Sequence, residues 1–174
     1  MVIPYVEFSR QVRGVRPMLL DSSALIDGRI NSFSQTGFLD APLIVPQYVI
    51  DEMHQLADSA DAGKRERGRR GLGNLRLLQD SSRTTVSIEQ FESESQDVDQ
   101  ALLTLAGEKN FRIVTTDFNL TRVADIHDVA TLNLNDLSGQ LRGNVVPGES
   151  IAIVIIREGE SEGQGIGYLP DGTM

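Results

Sequence analysis

Short apolar runs alternate with amphipathic helical patterns along most of the chain, and this alternation constrains the fold more than any other feature. The runs lie at 17–21, 42–46, 84–90, 111–116 and 129–134. Between them, apolar residues recur at the three- and four-residue spacing of helices. Because alternating strands and helices pack as a parallel sheet with helices on both faces, we predict an α/β/α domain over 17–142. Function in such sheets lies at the carboxyl ends of the strands.

The helical spacing also predicts which side chains face the core. A helix begins at Ser22 or Ser23, and further helices cover 47–60, 98–110, 119–127 and 135–141. Their inward side chains are predicted to be Leu25, Ile26, Ile30, Val49, Met53, Leu56, Ala101, Leu102, Leu105 and Ala106. The segment 61–80 begins Gly-rich and basic, which predicts a mobile loop, and ends as a helix through Leu75 and Leu78.

Beyond residue 142 the pattern changes to short β-type runs. Residues 143–149 are typical of a linker, 151–158 form a long β-type run, and a second strand precedes the turn signal Pro170-Asp171-Gly172. We interpret 143–174 as part of a small β-barrel whose last strands are missing, so we expect the sequence to be a piece of a longer protein. Residues 1–16 are interpreted as an N-terminal extension.

The composition excludes several classes of protein. The chain has no cysteine, so it has neither a disulfide framework nor a thiolate metal site nor a cysteine nucleophile. It has no run of about 18 apolar residues, so the sequence predicts no membrane span. The first residues lack the apolar core of a signal peptide.

The charge is uneven along the chain. The net charge of −9 argues against a non-specific nucleic-acid binder, which is usually basic. Five of the sixteen basic residues nevertheless cluster at 64–70. They are Lys64, Arg65, Arg67, Arg69 and Arg70. We predict that this cluster binds a phosphate backbone, with a solvated surface loop as the alternative.

Four carboxylates follow the predicted strands at corresponding places. They are Asp21, Glu52, Asp99 and Asp117, and Asp97 lies close to the third. Because the carboxyl ends of parallel strands meet at one edge, we expect these groups to converge. Two unit charges about 4 Å apart repel by roughly 4 kcal/mol at an effective dielectric of 20. A bound cation relieves this repulsion, and oxygen ligands favour Mg²⁺ or Mn²⁺.

Considered one at a time, the same residues have a simpler interpretation. Asp21 and Asp117 suit helix caps, Asp99 suits the positive end of a helix, and Glu52 suits a solvated helix surface. In the metal-site interpretation, the hydroxyls of Ser22 and Thr115 orient the carboxylates.

The segments LLDSSALIDGRI, IVPQYVIDEM, DVDQALLTLA and IVTTDFNL resemble those of the PIN-domain nucleases. The segment VVPGESIAIVIIREGESEGQGIGYLPDGTM looks like the start of a TRAM domain. Together they resemble the bacterial PIN–TRAM proteins, whose longer members carry transmembrane helices ahead of the PIN domain. The resemblance covers roughly residues 15–174, with a PIN-like domain over 17–142 and a partial TRAM-like segment over 143–174.

The resemblance implies metal-dependent hydrolysis of single-stranded RNA, with Mg²⁺ or Mn²⁺ as cofactor. It places the family's acidic set on Asp21, Glu52, Asp99 and Asp117, with Asp97 as a possible ligand, and its hydroxyls on Ser22 and Thr115. It also implies pairing of domains into a homo-oligomer. For this chain we expect RNA as partner, no membrane contact, and a cytoplasmic location, with the full-length protein anchored to the inner face of the plasma membrane by upstream helices.

Three other functions compete with this interpretation. The first is a non-catalytic RNA-binding or signalling module that uses the PIN fold as a scaffold. The second is a phosphoacceptor receiver domain, which needs a lysine at a late strand end, and residues 129–134 offer none. The third is a haloacid-type phosphatase, which needs an aspartate where Ser23 stands.

Overall fold

The computed structural model describes residues 15–81, 83–93, 95, 97–141, 153–159, 161 and 163–168. The predicted linker at 143–149, the turn at 170–172 and residues 1–14 of the predicted extension lie outside these residues. The chain divides into two compact units, Met1–Leu134 and Asn135–Met174.

The first unit is built on a five-stranded parallel sheet, which confirms the predicted fold class. Its strands are β1 Met18–Leu20, β2 Leu43–Pro46, β3 Val86–Glu89, β4 Arg112–Thr115 and β5 Thr131–Asn133. Their spatial order is β3-β2-β1-β4-β5, and every neighbouring pair is parallel. Strand β1 is central and fully buried, with Leu19 opposite Ile44 on one side and Ile113 on the other. The carboxyl ends of β1 and β4 therefore lie side by side.

The helices follow the predicted positions. They are α1 Ser22–Asp27, α2 Arg29–Thr36, α3 Gln47–Ala57, α4 Ala62–Gln79, α5 Val98–Lys109, α6 Phe118–Ile126 and α7 Leu134–Leu141. The predicted helix after β1 is split at Gly28, whose φ of +86° suits glycine and ends α1. Of the predicted inward side chains, all are buried except Leu56, which is half-buried.

The prediction of a mobile loop at the start of 61–80 was wrong. Helix α4 begins at Ala62, and the Asp61 side chain caps it by accepting a hydrogen bond from Lys64 N at 2.8 Å. Glycine serves close packing here, because a Cβ on Gly68 would lie 2.4 Å from the backbone nitrogen of Ala57 in α3. The missing side chain lets the backbones of α3 and α4 approach each other. The glycine at this position, which suggested a flexible loop, is therefore explained by helix packing.

The second unit contains an antiparallel strand pair, which confirms the predicted β-type segment. Its strands are β6 Val154–Glu158 and β7 Gly165–Tyr168. All five residues of β6 are exposed.

Candidate active site

Asp21 lies directly after β1 and is only 3% exposed. Its Oδ2 accepts a hydrogen bond from Ser23 Oγ at 2.5 Å and another from Thr115 Oγ1 at 2.7 Å. Its side chain makes no capping bond to α1, although the residue occupies the cap position. The simple helix-cap interpretation therefore does not hold for Asp21.

Two hydroxyls join the turn after β1 to the turn after β4. Thr115 is fully buried, and its Oγ1 accepts a hydrogen bond from Asp117 N at 2.9 Å while it donates to Asp21. Ser23 Oγ accepts from Thr116 N at 2.9 Å. The position of Asp117 is therefore tied to that of Asp21 through a single hydroxyl.

Ser23 is the residue of this network that sequence reasoning missed, because the prediction assigned the hydroxyl to its neighbour Ser22. The Ser22 hydroxyl interacts with Glu52, another of the predicted carboxylates, and lowers its pKa. A sequence signal for Ser23 does exist. Side chains lean toward the N-terminus of their helix, so the second residue of α1 leans back to the end of β1.

Two of the predicted carboxylates cap helices. Asp97 Oδ1 accepts from Gln100 N at 3.1 Å at the start of α5. Asp117 Oδ1 accepts from Asn119 N at 2.6 Å and Leu120 N at 3.3 Å at the start of α6. Each bond uses one carboxylate oxygen, and a carboxylate has a second oxygen with which to accept another partner. Capping and ligand binding are therefore compatible at both positions.

The carboxylates converge around Asp99, in the first turn of α5. Although Asp99 is an exposed residue, partial burial of its carboxyl raises its pKa to about 6, and repulsion from four other carboxylates adds to the shift. Those four belong to Asp21, Asp97, Asp117 and Glu52. The structure therefore brings the four predicted acidic residues and Asp97 to one edge of the sheet. We call these five residues the acidic cluster.

Glu52 is the half-buried member of the acidic cluster on α3. Burial raises its pKa; Ser22 and Arg67 oppose this shift, and Asp21 and Asp97 reinforce it. Its Oε2 is buried and has no hydrogen-bond partner among the residues that the structure describes. A buried carboxylate oxygen without a donor is suited to a cation.

The oxygen atoms of the acidic cluster are of the type that binds a divalent ion, but they are not arranged as a metal site. Within the described part of the chain, no three His, Asp or Glu side chains are arranged as ligands of a metal ion. Asp21 uses Oδ2 on two hydroxyls, and Asp97 and Asp117 use one oxygen each on helix caps. The oxygen donors, their mutual repulsion and the unpartnered Glu52 Oε2 nevertheless match what Mg²⁺ or Mn²⁺ requires.

The five predicted RNA-binding cations lie along α4, and they fall into two groups. Arg65 Nη1 donates to the Ser59 carbonyl at 2.9 Å, and Arg70 Nε donates to the Ile26 carbonyl at 2.7 Å. Both therefore hold the fold together. Lys64, Arg67 and Arg69 are exposed. Arg67 lies close enough to Glu52 to lower its pKa, so the turn of α4 that contains Arg67 adjoins the acidic cluster.

Comparisons with known proteins agree with this architecture. A domain of a functionally unknown protein from Methanocaldococcus jannaschii shares the fold, with a TM-score of 0.57 at 23% identity over 79% of this chain and 99% of that chain. No family model matches the chain.

In the described residues, no helix has the length and apolar character that crossing a membrane needs.

The fold is the α/β/α fold that the alternation of strands and helices predicted, and it agrees with the PIN resemblance. The uncharacterized PIN and TRAM-domain containing protein YacL of Bacillus subtilis is 42% identical over 165 residues, 94% of this chain and 45% of the relative. A second uncharacterized PIN and TRAM-domain containing protein, from Synechocystis, is 40% identical over 164 residues, which cover 94% of this chain and 46% of the relative. Both of these relatives are named PIN and TRAM-domain containing proteins, in agreement with the resemblance that the sequence predicted. The chain spans about half the length of the curated relatives it matches.

Proposed function

We propose that this chain is a metal-dependent endoribonuclease that hydrolyses phosphodiester bonds of single-stranded RNA. The observation that carries the proposal is the acidic cluster, in which burial and, to a smaller extent, repulsion between the carboxylates raise the pKa of Asp99 to about 6. Carboxylates at the strand ends of a parallel sheet are where an α/β enzyme places its chemistry. Perturbed groups gathered in this way are typical of functional sites.

The acidic residues have distinct parts in this proposal. Asp21, Glu52, Asp99 and Asp117 hold Mg²⁺ or Mn²⁺, and Asp97 is a further candidate ligand. When bound, the ion acts as a Lewis acid that promotes attack by water and offsets charge on the phosphoryl oxygens. Thr115 and Ser23 fix the orientation of Asp21 through its Oδ2. Thr115 also holds the backbone of Asp117 in place.

The exposed cations of α4 are proposed to attract the RNA backbone. Lys64, Arg67 and Arg69 lie on the helix that adjoins the acidic cluster. Cations there offset the repulsion between a phosphodiester and the carboxylates, and they supply the salt-dependent part of RNA affinity.

The test is cleavage of an end-labelled, unstructured RNA with Mn²⁺. We expect internal cleavage with 5′-phosphate and 3′-hydroxyl ends, abolished by EDTA and by Asp21→Asn. The matched control is Asp40→Asn, which removes an exposed carboxylate outside the acidic cluster and should cleave like the wild type. Thermal melts of both variants show whether a variant that has lost activity has also lost its folded structure.

The outcomes separate the candidate functions. Cleavage that survives Asp21→Asn would reject the assigned site. A folded wild-type protein that binds RNA and does not cleave it would favour the alternative, a non-catalytic RNA-binding or signalling module.

A further inference from the structure

Two of the phenylalanines that the structure describes are exposed, and they lie at opposite edges of the sheet. Phe38 is 88% exposed and lies in the loop that leads into the start of β2. Phe118 is 63% exposed and is the first residue of α6, which follows the end of β4. Because the strands are parallel, the start of β2 and the end of β4 belong to different edges. Of the two rings, Phe118 is therefore the one at the edge that contains the acidic cluster.

The turn of α6 that contains Phe118 borders the acidic cluster. Phe118 directly follows Asp117, whose Oδ1 accepts a hydrogen bond from Asn119 N at 2.6 Å. Asn119 also lines a cleft of about 410 Å³, and the same cleft is lined by Asp97 and Asp99. A group bound at the first turn of α6 is therefore a near neighbour of a phosphodiester held at the acidic cluster.

A cation accompanies the ring of Phe118. Arg122 lies one turn further along α6, and its guanidinium carbon is over the ring, 5.8 Å from the centroid. Residues four apart are neighbours on a helix surface, so the two side chains form one patch, which we call the Phe118 patch. Arg122 is exposed and forms no ion pair with the residues that the structure describes. The Phe118 patch therefore offers both an accessible aromatic ring and an unpaired positive charge.

This combination suits an unpaired nucleotide. Proteins bind single-stranded nucleic acids with aromatic side chains that stack on the bases and with cations that contact the backbone. A nucleotide has an aromatic face for the ring and a negative charge for the guanidinium, so it matches both parts of the Phe118 patch. An apolar protein surface would match the ring alone, and it would bury the charge of Arg122 at a cost in free energy. The chemistry of the patch therefore favours RNA over an apolar protein partner.

We propose that an unpaired base of the RNA stacks on the ring of Phe118, beside the phosphodiester that the acidic cluster holds, while Arg122 attracts a neighbouring phosphate. This inference rests on the proposed nuclease function for its place beside the reaction. Because every base has an aromatic face, the Phe118 patch accepts all four bases. A base inside a duplex has its faces covered by its neighbours, so the patch selects single-stranded RNA.

Tryptophan fluorescence provides a direct test, because the chain contains no tryptophan. In Phe118→Trp the single indole lies in the Phe118 patch, and in the matched control Phe38→Trp it lies at the opposite edge of the sheet. Both variants are titrated in EDTA, which prevents metal-dependent cleavage. The ligands are a single-stranded oligoadenylate and an abasic oligomer of the same length and charge. We expect oligoadenylate to quench Phe118→Trp and not Phe38→Trp, and the abasic oligomer to quench neither.

Cleavage kinetics with Mn²⁺ provide a second, independent test. Phe118→Ala should raise KM for single-stranded RNA by about 5- to 150-fold, the range for one base–aromatic stack. Its kcat should change less, because stacking stabilises the bound substrate and the transition state alike. Phe118→Leu should resemble Phe118→Ala, since leucine is apolar but has no ring, whereas Phe118→Tyr should retain the wild-type KM. Phe38→Ala is the control and should cleave like the wild type.

The outcomes separate this inference from the proposed function. Equal quenching of Phe118→Trp and Phe38→Trp, no quenching of Phe118→Trp by excess oligoadenylate, or an unchanged KM for Phe118→Ala would each overturn the inference. Fluorescence of Phe118→Trp that changes with chain concentration and not with RNA would also overturn it, because a second copy would then cover the ring. Quenching requires no cleavage, so a chain that shows the expected quenching but does not cut RNA would refute the proposed function and leave the stacking site standing.

Discussion

Thr115 Oγ1 donates a hydrogen bond to Asp21 Oδ2 at 2.7 Å, although the two residues are 94 positions apart in the sequence. The same oxygen accepts from the backbone nitrogen of Asp117 at 2.9 Å. One buried hydroxyl thus sets the relative position of two carboxylates that come from neighbouring strand ends. A side chain of the same shape without the oxygen would lose both bonds at once.

We therefore expect Thr115→Val to lower both stability and cleavage. Valine keeps the volume but leaves a buried Asp21 oxygen and the Asp117 amide with one partner fewer, which costs about 1–3 kcal/mol of unfolding free energy. Loosened ligands typically reduce activity by about 10- to 100-fold. Urea melts and initial rates with Mn²⁺ measure the two effects. Thr36→Val is the control, because Thr36 bonds a carbonyl on an exposed surface. Equal effects from the two variants would contradict this assignment.

Ser23 should matter more to the site than Ser22. Ser23 Oγ bonds both Asp21 Oδ2 and Thr116 N, whereas the Ser22 hydroxyl acts on Glu52. We expect Ser23→Ala to lower the apparent affinity for Mn²⁺ and the cleavage rate by about 10-fold or more. Ser22→Ala should have the smaller effect. Mn²⁺ titrations of the cleavage rate compare the two variants, and the opposite order would contradict the greater role of Ser23.

Asp99 should make the metal-free chain less stable as the pH rises. Its pKa is about 6 in the folded chain against an ordinary value of 3.8, so between these values the folded state holds more protons than the unfolded state. The contribution of Asp99 to unfolding free energy therefore falls as the pH rises from about 4 to about 6. We expect Asp99→Asn to raise the melting temperature in EDTA at pH 7.5, with the gain disappearing below pH 4.

Added Mg²⁺ provides the complementary measurement for Asp99. If this carboxylate is a ligand, Mg²⁺ at pH 7.5 should raise the melting temperature of the wild type more than that of Asp99→Asn. Asp40→Asn is again the control and should respond to Mg²⁺ as the wild type does. An Asp99→Asn chain that is less stable than the wild type in EDTA at pH 7.5 would contradict the raised pKa of Asp99.

The sequence predicted the sheet and the acidic edge because both depend on local patterns. The run from Met18 to Leu20 is apolar on both faces, as a central parallel strand requires, and Asp21 follows it directly. The role of Ser23 depends on which way a side chain leans, and the two serines are alike in sequence. The unpartnered oxygen of Glu52 depends on the packing of distant elements. The state of this Glu52 oxygen follows from tertiary structure and has no local signature.

The glycines of α4 show why one prediction from sequence went wrong. Glycine lowers helix propensity by about 1 kcal/mol relative to alanine, so a Gly-rich segment suggests a loop. At Gly68 the lost propensity is offset by close contact, since a Cβ there would meet Ala57 N at 2.4 Å and Met53 O at 2.6 Å. At Gly73 a Cβ would meet nothing within 4 Å. One helix therefore contains glycines with opposite roles.

Alanine substitutions should separate these two roles. We expect Gly68→Ala to destabilise the chain by about 1–3 kcal/mol, because backbone atoms of α3 must move. Gly73→Ala should stabilise it by up to about 1 kcal/mol through helix propensity. Urea melts of the two variants provide the comparison, each serving as control for the other. A stabilising Gly68→Ala would show that α3 and α4 are not in close contact.

The exposed cations of α4 should contribute to RNA affinity in a salt-dependent way. Lys64 and Arg69 are exposed, whereas Arg70 is bonded to the Ile26 carbonyl. We expect Lys64→Gln and Arg69→Gln to weaken the binding of unstructured RNAs of any sequence to a similar extent. Each substitution should also reduce the slope of log affinity against log salt concentration by about 1. Anisotropy titrations in EDTA at several salt concentrations measure this without cleavage. Arg76→Gln is the matched control, because it removes an exposed cation from the last turn of the same helix. Equal losses for Arg76→Gln and Lys64→Gln would mean that RNA responds to the overall charge of α4 and not to the end beside Glu52.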